Sequence, residues 1–305
     1  MKNTLIALAV IIIIALGGYY FFFMRGLGGG AQEELAPPQA NTLATSTATS
    51  TDTMVQNEKT TVIGKSVESR DIVAYHFGSG EREILFVGGI HGGYSWNTAL
   101  LAYELVKYLE TNPSAVPAGV KVTVVPVLNP DGLNKVVDAD GPFAAADVST
   151  SQSEQIAGRF NANEVDLNRN FDCDWQKTGK WQSKDVSGGA AAFSEPETAA
   201  VRGYIASHRP VAAVVWYSSA GGVFASSCHN SVAPETAALM KAYADASKYP
   251  AHESFDFYAT TGDMVNWLAK ENIPGISVLL TDHKNIEWEK NKAGIDALLQ
   301  LYAQS

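Results

Sequence analysis

"RFNANEVDLNRNFD", residues 159–172, is the stretch on which the reading of this 305-residue chain turns. Arg159, Asn168 and Arg169 fall together in a segment too polar and too irregular to be core. A guanidinium can grip a carboxylate through two parallel N–H···O bonds, and an asparagine amide beside it adds a directional donor. Two surface arginines in salt bridges would leave the same letters, so the segment alone keeps both readings open. It lies within a longer stretch, Asp131 to Ser194, in which periodicity fails. Long loops on a rigid sheet are where binding groups gather.

Outward from this loop the pattern is regular. Apolar runs predict strands over Asp71–Phe77, Ile84–Ile90, Val120–Leu128, Ala212–Tyr217 and Ile276–Thr281. Helical spacing predicts helices over Trp96–Leu109, Glu197–His208, Glu235–Ser247, Asp263–Asn272 and Trp288–Tyr302. Long apolar strands alternating with helices imply an α/β domain whose sheet is covered on both faces.

The ends and the composition set further bounds. Residues 4–24, "TLIALAVIIIIALGGYYFFFM", carry no charge and are long enough to span a bilayer. No A-x-A-like cleavage site follows, which favours an uncleaved anchor over residues 1–25. Residues 26–59, rich in Gly, Ala, Ser, Thr and Pro, read as a flexible tether, and residues 60–305 as the globular domain. The expected arrangement is a membrane-anchored domain displayed outside the cytoplasm. Cys173 and Cys228 fit one disulfide there, or two buried thiols; the sequence leaves both open. A formal net charge of -10 with no basic run excludes nucleic acid as a natural partner.

A second stretch carries chemistry. "FVGGIHGGYSWNT", residues 86–98, passes from a strand through a lone His91 into a helix, a common place to hold a metal. The side chains that follow are Tyr94 and Ser95, not a carboxylate. "GYSWN" also matches most of a G-x-S-x-G elbow, which offers a serine-hydrolase alternative at Ser95 with Asp282 and His283 as remote partners.

These stretches together resemble the zinc metallocarboxypeptidases of the carboxypeptidase A/B type. The resemblance runs from about Thr61 to the C-terminus through "GGIHGGYSWNT", "PVLNPDG", "RFNANEVDLNRNF", "FSEPET", "WYSSAGG", "YATTGDMVNW" and "ISVLLTDH", in the family's order. It implies a mixed eight-stranded sheet flanked by helices on both faces. It also implies zinc as cofactor, and hydrolysis of a C-terminal peptide bond as the ancestral reaction. By the same resemblance His91 matches the first zinc ligand and Arg159 the arginine that polarises the scissile carbonyl. Asn168 and Arg169 match the pair that holds the terminal carboxylate, and Tyr258 the tyrosine that closes over it. Val265 matches a pocket residue, implying an apolar C-terminal side chain.

The catalytic half departs from that pattern. The second ligand, a glutamate, is replaced by Tyr94 or Ser95; the third, a histidine, by Ser218; and the general base, a glutamate, by Leu279. Catalytic zinc needs three protein ligands, and leucine cannot move a proton. The expectation is weakly bound or absent zinc, impaired catalysis and surviving recognition of a peptide or cell-wall peptide with a free C-terminal carboxylate. The alternative is an active enzyme whose metal site is rebuilt with His229, His252 or His283.

Overall fold

A computed structural model describes residues 59–304. The expected membrane anchor and nearly all of the tether lie outside the described residues, and among those described no helix is long and apolar enough to cross a membrane.

The strands are β1 (Thr60–Lys65), β2 (Asp71–Phe77), β3 (Arg82–Val87), β4 (Val120–Val125), β5 (Thr178–Trp181), β6 (Lys184–Ser187), β7 (Ala212–Ser218), β8 (Gly222–Ala225), β9 (Ala251–His252) and β10 (Gly275–Leu280). The helices are α1 (Trp96–Thr111), α2 (Pro130–Asn134), α3 (Gln152–Ala157), α4 (Pro196–His208), α5 (Pro234–Ser247), α6 (Met264–Lys270) and α7 (Trp288–Ala303). Eight strands form one mixed sheet in the order β1-β2-β4-β3-β7-β10-β8-β9, and β5 and β6 form a separate hairpin. The middle of the sheet, β4-β3-β7-β10, is parallel.

Period-two alternation explains why helices cover both faces. On β3, Ile84 and Phe86 join the cluster with Leu101 and Leu105 of α1, Leu239 of α5 and Leu298 of α7. Leu85 and Val87 point the other way, to the cluster with Val201 and Ile205 of α4 and Leu268 of α6. The second cluster includes Leu167 and Phe171, so the polar 159–172 loop is pinned to the sheet by two fully buried side chains.

Strand ends fall where the chain can no longer pair. β3 stops at Val87 because Gly88 and Gly89 turn the backbone, Gly89 at φ +60°. β4 stops before Pro126, which has no N–H to offer the ladder. Both ends lie at the carboxyl edge of the parallel strands, where open α/β sheets hold ligands. The Asp131–Ser194 stretch contains short helices and the β5–β6 hairpin rather than bare loop. Cys173 and Cys228 form a disulfide, Cα–Cα 6.1 Å, that ties the end of the 159–172 loop to the segment after β8.

Candidate functional site

A cavity of about 860 Å³ opens at the carboxyl edge of β3, β7 and β10. All six residues singled out for the site line it: His91, Arg159, Asn168, Arg169, Tyr258 and Val265.

Asp166 organises the floor. It is fully buried; its Oδ2 accepts from Arg159 Nε at 3.0 Å and Nη2 at 2.8 Å, and its Oδ1 accepts from the Asn168 amide at 3.1 Å. Burial works against this charge, yet the Arg159 guanidinium overrides it and holds the carboxyl far below the usual carboxylate range. The Arg159 guanidinium lies 4.5 Å from the ring centre of Trp181 and 5.5 Å from that of Tyr94. Its bonds to Asp166 use Nε and Nη2, which leaves Nη1 for a ligand.

Asn168 and Arg169 are also pre-positioned. Asn168 Oδ1 accepts from Tyr217 OH at 3.0 Å and from the Met264 amide at 3.1 Å, so its Nδ2 is the group left to donate. Arg169 is 1% exposed and gives Nε and Nη2 to Lys180 O on β5, at 3.0 and 2.7 Å, and Nη1 to Asn168 O. A guanidinium has five N–H groups, so two remain, enough for one carboxylate. Tyr258 is half-buried, with its ring centre 5.9 Å from Arg169 Cζ. The two arginines therefore differ: Arg159 sits in a buried ion pair, whereas the hydrogen bonds of Arg169 go to carbonyl oxygens.

The cavity around Val265 is mixed in polarity. Val265 is there, but so are Asp263, Asn266 and Ser277. Asp263 is 4% exposed, and burial raises its carboxyl above the usual range. The sequence pattern pointed to position 265 and missed Asp263 two residues earlier, whose carboxylate also caps α6 through the Asn266 amide at 3.0 Å. Asp166 was missed too, although it stands in the same motif between Arg159 and Asn168.

At the metal-ligand positions the chemistry is poor for zinc. His91 is 5% exposed, and neither ring nitrogen has a hydrogen-bond partner; Nε2 approaches Asp166 Oδ1 at 3.4 Å without hydrogen-bond geometry. Burial and the nearby Arg159 push its pKa down to about 4, so the imidazole is neutral at pH 7. Of the two residues that could replace the second ligand, Tyr94 lines the cavity and Ser95 does not. Ser218 Oγ already donates to Asn97 Oδ1 at 3.0 Å, and Leu279 presents only hydrocarbon. One imidazole, a phenol and a hydroxyl do not make the three-ligand set of a catalytic zinc.

A rebuilt site is not assembled either. His229 Nε2 pairs with Asp174 Oδ1 at 3.1 Å, and His252 stacks on Phe224 with ring centres 4.6 Å apart. Among the described residues, the one group of three His, Cys, Asp or Glu side chains close enough to share a metal is Cys173, Cys228 and His229, whose sulfurs are taken by the disulfide. His283 does line the cavity, against Tyr94. Ser95 is 1% exposed and its Oγ has no hydrogen-bond partner, so the elbow reading finds neither access nor a base.

The zinc carboxypeptidase family profile matches residues 48–288. The chain belongs to the zinc carboxypeptidase family. Carboxypeptidase Z of Rattus norvegicus is 29% identical over 199 residues, 61% of this chain and 25% of that protein. The gamma-D-glutamyl-L-diamino acid endopeptidase 1 of Lysinibacillus sphaericus is 26% identical over 247 residues, 74% of this chain and 61% of that protein. A match to mouse carboxypeptidase D spans 8% of that protein's length. Among solved structures, carboxypeptidase A from Helicoverpa armigera superposes with a TM-score of 0.63 at 18% identity, covering 81% of this chain and 68% of the other. The murein-tripeptide amidase from Escherichia coli O157 gives 0.55 at 20% identity, covering 80% and 91%.

Proposed function

We propose that this domain recognises peptides by their free C-terminal carboxylate and has lost zinc-dependent hydrolysis. The observation that carries the reading is the division of one cavity. Asn168, Arg169 and Tyr258 stand ready for a carboxylate, while Tyr94, Ser218 and Leu279 occupy the places that would hold a metal and move a proton. Zinc is accordingly weakly held or absent. The buried Asp263 favours a C-terminal residue whose side chain carries a donor. A diamino acid at the end of a cell-wall peptide has such a side chain, and the names of the Lysinibacillus and Escherichia relatives support that class. An N-terminal membrane anchor with the domain outside the cytoplasm completes the proposal, and the Cys173–Cys228 disulfide supports an oxidising compartment.

Calorimetry on the isolated domain tests it. A peptide acid should bind about ten- to a hundredfold more tightly than its C-terminal amide, the worth of a charged hydrogen bond of about 1.5–3 kcal/mol. Arg169→Ala should erase the difference, and Lys284→Ala should leave it. Equal binding of acid and amide would show that the arginines are structural. One tightly held zinc per chain in protein purified without chelator would show that the metal site survives.

A further inference from the structure

Ser219 and His283 line the same cavity but take no part in gripping a carboxylate. Ser219 Oγ lies 3.4 Å from His283 Nε2, within hydrogen-bond reach. The sheet brings them together. Ser219 follows β7 and His283 follows β10; the two strands are parallel neighbours, with Leu280 paired to Ser218. Ser219 is exposed to the cavity and His283 is half-buried. Tyr94 joins this pair to Arg159, its ring centre lying 4.5 Å from that of His283 and 5.5 Å from the guanidinium carbon. A hydroxyl, an imidazole and a guanidinium with Nη1 to spare thus lie along one connected set of contacts. These are the side-chain types that serve as nucleophile, base and oxyanion donor.

We propose that Ser219 and His283 form a nucleophile–base pair that cleaves esters whose leaving alcohol carries a free carboxylate. Ser219 Oγ adds to the ester carbonyl carbon as its proton passes to His283 Nε2, and the oxyanion faces Arg159. The carbon–oxygen bond to the alcohol breaks as Nε2 returns that proton to the departing oxygen. Water then adds to the acyl-serine, giving a proton to Nε2; collapse releases the acid and restores the Ser219 hydroxyl. One water is consumed per ester. Asn168 and Arg169 hold the carboxylate of the leaving hydroxy acid.

Esters rather than amides are the fitting class. His283 Nδ1 is buried without a hydrogen-bond partner, so no carboxylate steadies the imidazolium as the third member of a triad would. Burial and Arg159 also depress its pKa, so the ring is neutral at pH 7 but a weaker base than a free imidazole. An alcohol leaves more readily than an amine, so a base pair without this support suits the easier bond.

The test uses the domain in excess EDTA, with a fluorophosphonate probe and an N-acylglycyl ester of lactic acid. The probe should modify one residue per chain, identified as Ser219 by peptide mass, and the ester should be hydrolysed. Ser219→Ala should abolish both, and His283→Ala should slow both by about a hundredfold or more. Ser95→Ala should change neither. Unmodified wild-type protein, or label and turnover that persist in Ser219→Ala, would overturn the proposal. Carboxylate binding by calorimetry is read separately and stands or falls on its own.

Discussion

At the residue scale, His91 couples the proposed metal-free site to stability. Its imidazole is buried and neutral, with a folded pKa of about 4 against about 6.5 in the unfolded chain. Between these values the unfolded state binds more protons, so stability rises with pH; it is complete above about 6.5 and lost as pH falls towards 4. Chemical denaturation at pH 7 and pH 4 should show a loss of about 3 kcal/mol from this group, and His91→Gln should remove that part of the pH dependence. The missing partners define a second outcome. Tyr94→Glu, Ser218→His and Leu279→Glu together should create a site that retains one zinc per chain through dialysis, measured by elemental analysis. Each single change should retain none, because ligands act as a set. Position 94 is the one to change, since Tyr94 lines the cavity and Ser95 does not.

Among elements, the loop of residues 159–172 holds its shape through neighbours far away in sequence. Gly262 is one tight point: its φ is +64°, and a Cβ there would lie 2.5 Å from Arg169 O. Gly262→Ala should therefore displace Arg169 and remove the acid-over-amide preference in calorimetry, while the far-ultraviolet circular dichroism keeps its shape. The disulfide closes a sequence separation of 55 residues, so Cys173→Ser with Cys228→Ser should cost about 4 kcal/mol in denaturant titration. How much of this was legible follows from the physics of each signal. Five strands and five helices announced themselves because burial imposes a pattern on many consecutive residues, whereas β1, six residues long with none fully buried, did not. β8 and β9 have four and two residues, too few for a period to appear. Arg159, Asn168 and Arg169 could be singled out because they crowd one segment. Asp263 and the Ser219–His283 contact could not, because they are made by register and folding back of strands, not by spacing.

For the molecule as a whole, the parallel centre of the sheet places every functional residue at one edge, and the rest of the domain serves as support. The proposed anchor gives a simple expectation: the full chain expressed in bacteria should sediment with membranes and resist extraction by high salt. Residues 59–305 alone should stay in the supernatant. A full chain found in the supernatant would remove the anchor from the proposal. One small piece outside the main sheet has a larger consequence. The β5–β6 hairpin carries both Lys180 O, which holds Arg169, and Trp181, which lies over Arg159. Its turn, Gln182 and Ser183, is exposed, and a two-stranded ribbon has little stability of its own. A protease that nicked this turn would disarm both arginines in one cut and leave the eight-stranded sheet intact, so recognition could be switched off irreversibly without destroying the domain.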